Sequence, residues 1–110
     1  MNNIDTTPSK WYHYLAALGA GFFLANTVPH LTSGITGQEF PPPFAAESGV
    51  SLSSPTVNVV WGLVNLLLGY LLLRAGKVKF VHTQIMFAVF VGIAVCALIC
   101  AIIFGSNPNL

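Results

Sequence analysis

The sequence predicts an all-α fold, an integral membrane bundle of three transmembrane helices with a long outer connection between helices 1 and 2. Three observations predict it. Of the 110 residues, 55% are hydrophobic and only 6% are charged, too few charges to dress a water-exposed surface. The charged residues, Asp5, Lys10, Glu39, Glu47, Arg74, Lys77 and Lys79, all lie outside three uncharged stretches, Trp11 to Val28, Thr56 to Leu73 and Val81 to Phe104, of 18, 18 and 24 residues. A helix rising about 1.5 Å per residue needs roughly 17 to 25 residues to cross about 30 Å of hydrocarbon, and each stretch qualifies. The stretches are continuously apolar, without the alternation of a lipid-facing barrel strand, and three strands could not close a barrel.

The chain reads as a single membrane domain over residues 1–110. The first helix covers about residues 11–28. Pro29 removes an amide at its end, so the helix either stops near Val28 or kinks and runs on, to about residue 33, toward the breaker Gly34. Lys10 ahead of an apolar run resembles the start of a signal peptide, but no small-x-small cleavage site precedes Asn26, and the segment is kept as a span. The second helix covers about 55–75: Ser54 can accept from the free first-turn amides and Pro55 suits the first helical position. At its end Arg74 meets the negative end of the helix dipole, and Gly76 stands where a left-handed cap is easiest. A short turn leads to the third helix, about 81–104.

All four Lys and Arg residues precede the first span or lie between the second and third, while the connection from Pro29 to Ser54 has none. By the positive-inside rule the N-terminus and the Arg74 to Lys79 turn are cytoplasmic, and the connection and the C-terminus lie outside. Trp11, Tyr12 and Tyr14 then sit at the inner headgroup level. A net charge of +1 without a basic cluster gives no footprint for nucleic acid.

Polar and small residues inside the spans form stripes. Asn58, Gly62, Asn65 and Gly69 recur at spacings of four, three and four, so they share one helical face. Lipid offers an amide no partner and glycine admits a close backbone, so this face should meet another helix. Asn65 lies about 15 Å below the outer end of its helix, near the midplane, where an interhelical hydrogen bond is its expected use. Ala88, Gly92, Cys96 and Cys100 repeat every four residues in the third span, as Ala17, Gly21 and Ala25 do in the first. The two cysteines, on one face of one helix, suit packing rather than a disulfide.

Two clusters bring a histidine to a membrane face. At the outer end Asn26 and His30 share a face if the helix continues through Pro29, and Asn58 begins the second span at similar depth. These three residues are the ligand-binding candidates, for a small polar molecule, a metal or the carboxylate of Glu39; the plainer use of His30 is to cap carbonyls at a broken helix end. At the inner side His13 and His82, with Thr83 and Gln84 alongside, could bridge a haem, but interfacial histidines beside tyrosines commonly stand without a cofactor, and no cofactor or metal is expected. The 26-residue connection is long for a compact domain. Gly34 and Gly37 allow turns, Pro41 to Pro43 stiffen it toward polyproline geometry, and Phe40 and Phe44 should anchor it at the interface as it folds back over the helix ends.

The string Ala25-Asn26-Thr27-Val28-Pro29-His30, followed by Gly34, Gly37 and Phe40-Pro41-Pro42-Pro43-Phe44, then Ser53-Ser54-Pro55-Thr56-Val57-Asn58 with Trp61-Gly62, resembles a pattern in small three-pass bacterial inner-membrane proteins of unassigned activity. The resemblance spans the first two helices and their connection. It implies a bacterial inner-membrane location and a joint importance of Asn26, His30 and Asn58.

The expected role is association in the bilayer, as an accessory subunit or a homo-oligomer, with the lipid bilayer and another membrane protein or a second copy as partners. A solute or ion conduit is the alternative, only as an oligomer with Asn65 and the glycine-rich face on a shared axis, because three helices cannot surround a water-filled route. A membrane enzyme or cofactor carrier using His30 ranks last: no nucleophile with a base and no paired carboxylates support it. Single cysteines placed at Ser48 and at Lys77, in a background without Cys96 and Cys100, are expected to react with an impermeant reagent from opposite sides of the membrane. Reaction of both from one side refutes the orientation.

Overall fold

A computed structural model describes residues 8–79 and 82–110, and over these the chain is all-helical. Its helices are α1 (Trp11–Ile35), α2 (Pro55–Ala75) and α3 (Thr83–Gly105), each long and apolar enough to cross a membrane. Among the described residues the nearest approach to a strand is one antiparallel bridge, Phe40 to Ser53.

Local chemistry explains most helix ends. The backbone N–H of Lys10 donates to His13 Nδ1 at 3.0 Å, which caps the start of α1,. Ser54 Oγ accepts from the Val57 N–H at 3.2 Å and Pro55 takes the first turn of α2,. α1 runs through Pro29 without stopping. Proline removes one amide and crowds one carbonyl, which α1 tolerates while packed against a neighbour on each of two sides. Gly34 is consequently a helical residue, not a turn. It is glycine for proximity, since a Cβ there would stand 2.6 Å from the Pro55 carbonyl oxygen and from Val59 Cγ2.

The end of α2 also departs from the expectation. Gly76 has φ −78°, and the left-handed residue is Lys77, with φ 50°. Gly76 lies against α1, where a Cβ would come within 3.0 Å of the His13 carbonyl oxygen and 3.2 Å of the Ala17 nitrogen. Close packing claims the glycine, and the neighbouring lysine takes the conformation that glycine would adopt more easily. Within the described residues α3 begins at Thr83; the expected start at Val81 lies outside them.

α1 is the central helix. It packs against both α2 and α3, whereas the Cα traces of α2 and α3 nowhere approach within 8 Å of each other. Small residues make both contacts. A Cβ on Gly21 would collide with the Val89 carbonyl oxygen, and one on Gly92 with the Leu18 carbonyl oxygen, so α1 and α3 meet backbone to backbone,. On the other side Gly62 lies under Leu31 and Gly69 under Leu24. The stripes of α2 and α3 are thus each packed against α1 inside a single chain.

Polarity is inverted relative to a water-soluble domain. His30, Asn58 and Asn65 are at most 1% exposed, while Leu67, Leu98 and Ile102 are 57%, 67% and 72% exposed,. Gly92→Ala is expected to destabilise the bundle by about 1–3 kcal/mol, read as a lowered melting temperature in detergent. Gly105→Ala, where a Cβ would meet nothing within 4 Å, should leave the melting temperature unchanged.

Candidate ligand-binding site

The end of the bundle that carries the α1–α2 connection gathers most of the buried polar groups. α1 and α2 are antiparallel neighbours, so positions that ascend on one descend on the other. His30 consequently meets Asn58, and Asn26, one turn away on α1, meets Asn65, two turns away on α2. His30 Nδ1 and Asn58 Oδ1 are 2.8 Å apart. Asn26 Nδ2 donates to Asn65 Oδ1 at 3.0 Å, and Asn65 Nδ2 donates to the Trp61 carbonyl oxygen at 2.8 Å.

The three expected ligand-binding residues therefore divide between two pairs. Asn26 does not join Asn58. Asn65 is turned to α1 and fully buried. Gly62 and Gly69 flank it on the same face, and Gly92 and Cys96 occupy the buried face of α3. Cys96 and Cys100 remain free thiols, 3.8 Å apart, and the Cys100 thiol lies 3.8 Å from Asn26 Oδ1 as a weak donor,. His30 caps no broken helix, since α1 is unbroken there, and Glu39 is an exposed residue of the connection while His30 Nδ1 is held by Asn58.

Asn58 does more than meet His30. Its Nδ2 lies 2.9 Å from the Phe40 carbonyl oxygen, 3.2 Å from that of Ser53 and 3.1 Å from that of Ser54. One side chain thus ties the first turn of α2, both sides of the Phe40–Ser53 bridge and α1 together. Around His30 the rings of Phe40, Phe104 and Trp61 stand edge-on, with centroids 5.3, 6.3 and 6.5 Å away.

Phe40 is thus half-buried with its ring turned toward His30 and Phe104, and Pro41 and Pro42 beside it are fully buried. The proline run does not stay extended: the amides of Ala45 and Gly49 both donate to the Pro42 carbonyl oxygen, which folds the chain back on itself. Phe44 is 57% exposed and lies edge-on to Trp61 at 5.3 Å. The tail after α3 closes the same region, because Asn107 Nδ2 donates to the carbonyl oxygens of Gly49 and Val50 at 3.2 and 3.1 Å.

A cavity of about 290 Å³ opens here between α2 and α3. Asn26 and His30 line it from α1, Trp61 and Asn65 from α2, Cys100 and Phe104 from α3, and the connection reaches its edge. A larger apolar groove, about 830 Å³, runs between the opposite ends of α1 and α3 beside Trp11 and Phe87. Its polar feature is the hydrogen bond from Tyr14 Oη to Gln84 Oε1 at 3.1 Å. Convergent polar groups make the smaller cavity the better site. At that opposite end His13 Nδ1 accepts the Lys10 amide, and His82 directly precedes α3. Among the described residues no three of His, Cys, Asp or Glu converge as a metal site.

Trp61 was legible as a site residue in the sequence, three positions after Asn58 and four before Asn65 on the same face. Phe104 and Asn107 were not, because their place depends on how α3 lies against α1. Asn58→Leu leaves His30 Nδ1 and part of the connection without a partner and should cost about 1–3 kcal/mol. It should also speed proteolysis near Gly49. Asn65→Leu should cost about 1 kcal/mol and leave that cleavage rate unchanged. Equal cleavage of the two variants would refute the clasp assigned to Asn58.

Comparison with protein-family models, with curated proteins and with solved structures finds no match to this chain.

Proposed function

We propose that this chain is a three-pass protein of a bacterial inner membrane that acts by association within the bilayer, as an accessory subunit or a homo-oligomer. In this reading the N-terminus and the α2–α3 turn are cytoplasmic, and the α1–α2 connection and C-terminus lie outside. The inverted polarity carries it. Buried amides and an imidazole lie between the helices while Leu, Ile, Val and Phe cover the outside, an arrangement that hydrocarbon favours and water opposes.

Association is supported by what the chain offers a neighbour. Its small-residue stripes are already filled by its own helices, so the free surfaces are the outward faces of α2 and α3. On α3, Phe87 and Phe90 are stacked with centroids 6.1 Å apart and are 64% and 60% exposed, a rigid aromatic ridge suited to packing against another helix.

Extraction in mild detergent followed by native mass measurement is the test. The expected particle is a multiple of 11.7 kDa or a complex with a second protein, and Phe87→Ala with Phe90→Ala should shift it toward the single chain. A lone chain before any substitution overturns association. Recovery in the supernatant after membranes are pelleted, without detergent, overturns the bilayer placement itself.

A further inference from the structure

The Asn58 amide fixes the chemistry that His30 presents. Because Asn58 Nδ2 is surrounded by three backbone carbonyl oxygens, its Oδ1 is the atom that faces His30 Nδ1. A carbonyl oxygen accepts, so the neutral imidazole carries its proton on Nδ1 and keeps a lone pair on Nε2. Asn58 is not among the residues lining the 290 Å³ cavity, whereas His30 is, which leaves Nε2 as the polar ring atom available to it. The same cavity is lined by Trp61, whose buried indole N–H meets no acceptor among the described residues. Buried donors are rarely left unpaired.

His30 and Trp61 both border this mainly apolar cavity, and an acceptor and a donor side by side complement a hydroxyl group, which both donates and accepts. Phe22, Trp61 and Phe104 supply ring faces and edges,. The volume is about twice the roughly 150 Å³ that holds a benzene ring, enough for one substituted ring. Ile99 and Ile103, which also line the cavity, are 41% and 43% exposed on the outside of α3, so an apolar molecule can enter from the side.

We propose that this cavity binds a phenolic ring carrying a short alkyl substituent, hydroxyl inward, with the O–H donating to His30 Nε2 and the oxygen accepting from the Trp61 indole N–H. This goes beyond association and takes from that reading only the lipid surroundings. A chain that binds the phenol yet weighs as a single copy would refute association and leave this site standing.

The chain has two tryptophans, so Trp11→Phe leaves Trp61 as the sole emitter. With this variant in lipid nanodiscs, 4-butylphenol is expected to change Trp61 emission saturably, with a midpoint at least tenfold lower than that of butylbenzene, which has the same ring and tail without the hydroxyl. Adding His30→Phe should bring the two midpoints within threefold of each other, with helical circular dichroism retained. Equal midpoints for the two compounds in the His30-bearing protein, or emission that drifts without saturating, overturns the proposal. That comparison decides the matter even if the His30 variant fails to fold.

Discussion

Everything in this fold depends on how closely α1 can be approached on two sides. Glycine against backbone at Gly21 and Gly92, and glycine against leucine at Gly62 and Gly69, bring the helix axes near enough for short side chains to meet across them. Between apolar helices, van der Waals contact of this kind supplies the attraction that water would otherwise provide. The polar pairs are a consequence. An Asn or His side chain is short, and His30 reaches Asn58, like Asn26 reaching Asn65, because no bulky residue separates the backbones there.

The same closeness explains why the buried polar groups sit toward one end. There the connection must return its backbone over the helices, and its carbonyls need donors that apolar side chains cannot give. Asn58 from α2 and Asn107 from the tail supply them, one from below the Phe40–Ser53 bridge and the other onto Gly49 and Val50. The result is a cap held by side-chain amides, under which α2 and α3 stay apart and leave the cavity above α1. Tying down the connection and shaping the site are thus one structural event, with Asn58 shared between them.

What the sequence alone determined rests on local rules. Three uncharged stretches of helical length, the Ser54–Pro55 start and the four-residue spacing of small and polar residues need only the geometry of one helix to be read, and they placed Asn58, Gly62, Asn65 and Gly69 on a common face. The tertiary structure decided which face met which. Asn26, His30 and Asn58 were legible as neighbours at one depth, but that His30 takes Asn58 while Asn26 takes Asn65 follows from the antiparallel register of α1 and α2, which a one-turn slip would change. Continuation of α1 through Pro29, the placing of Gly76 at a crossing rather than in a left-handed cap, and the inward turn of Phe40 were likewise settled by packing. The first two set a local backbone preference of about 1–3 kcal/mol against contacts with a second helix, and all three depend on the position of neighbouring segments, which is not written in any short stretch of residues.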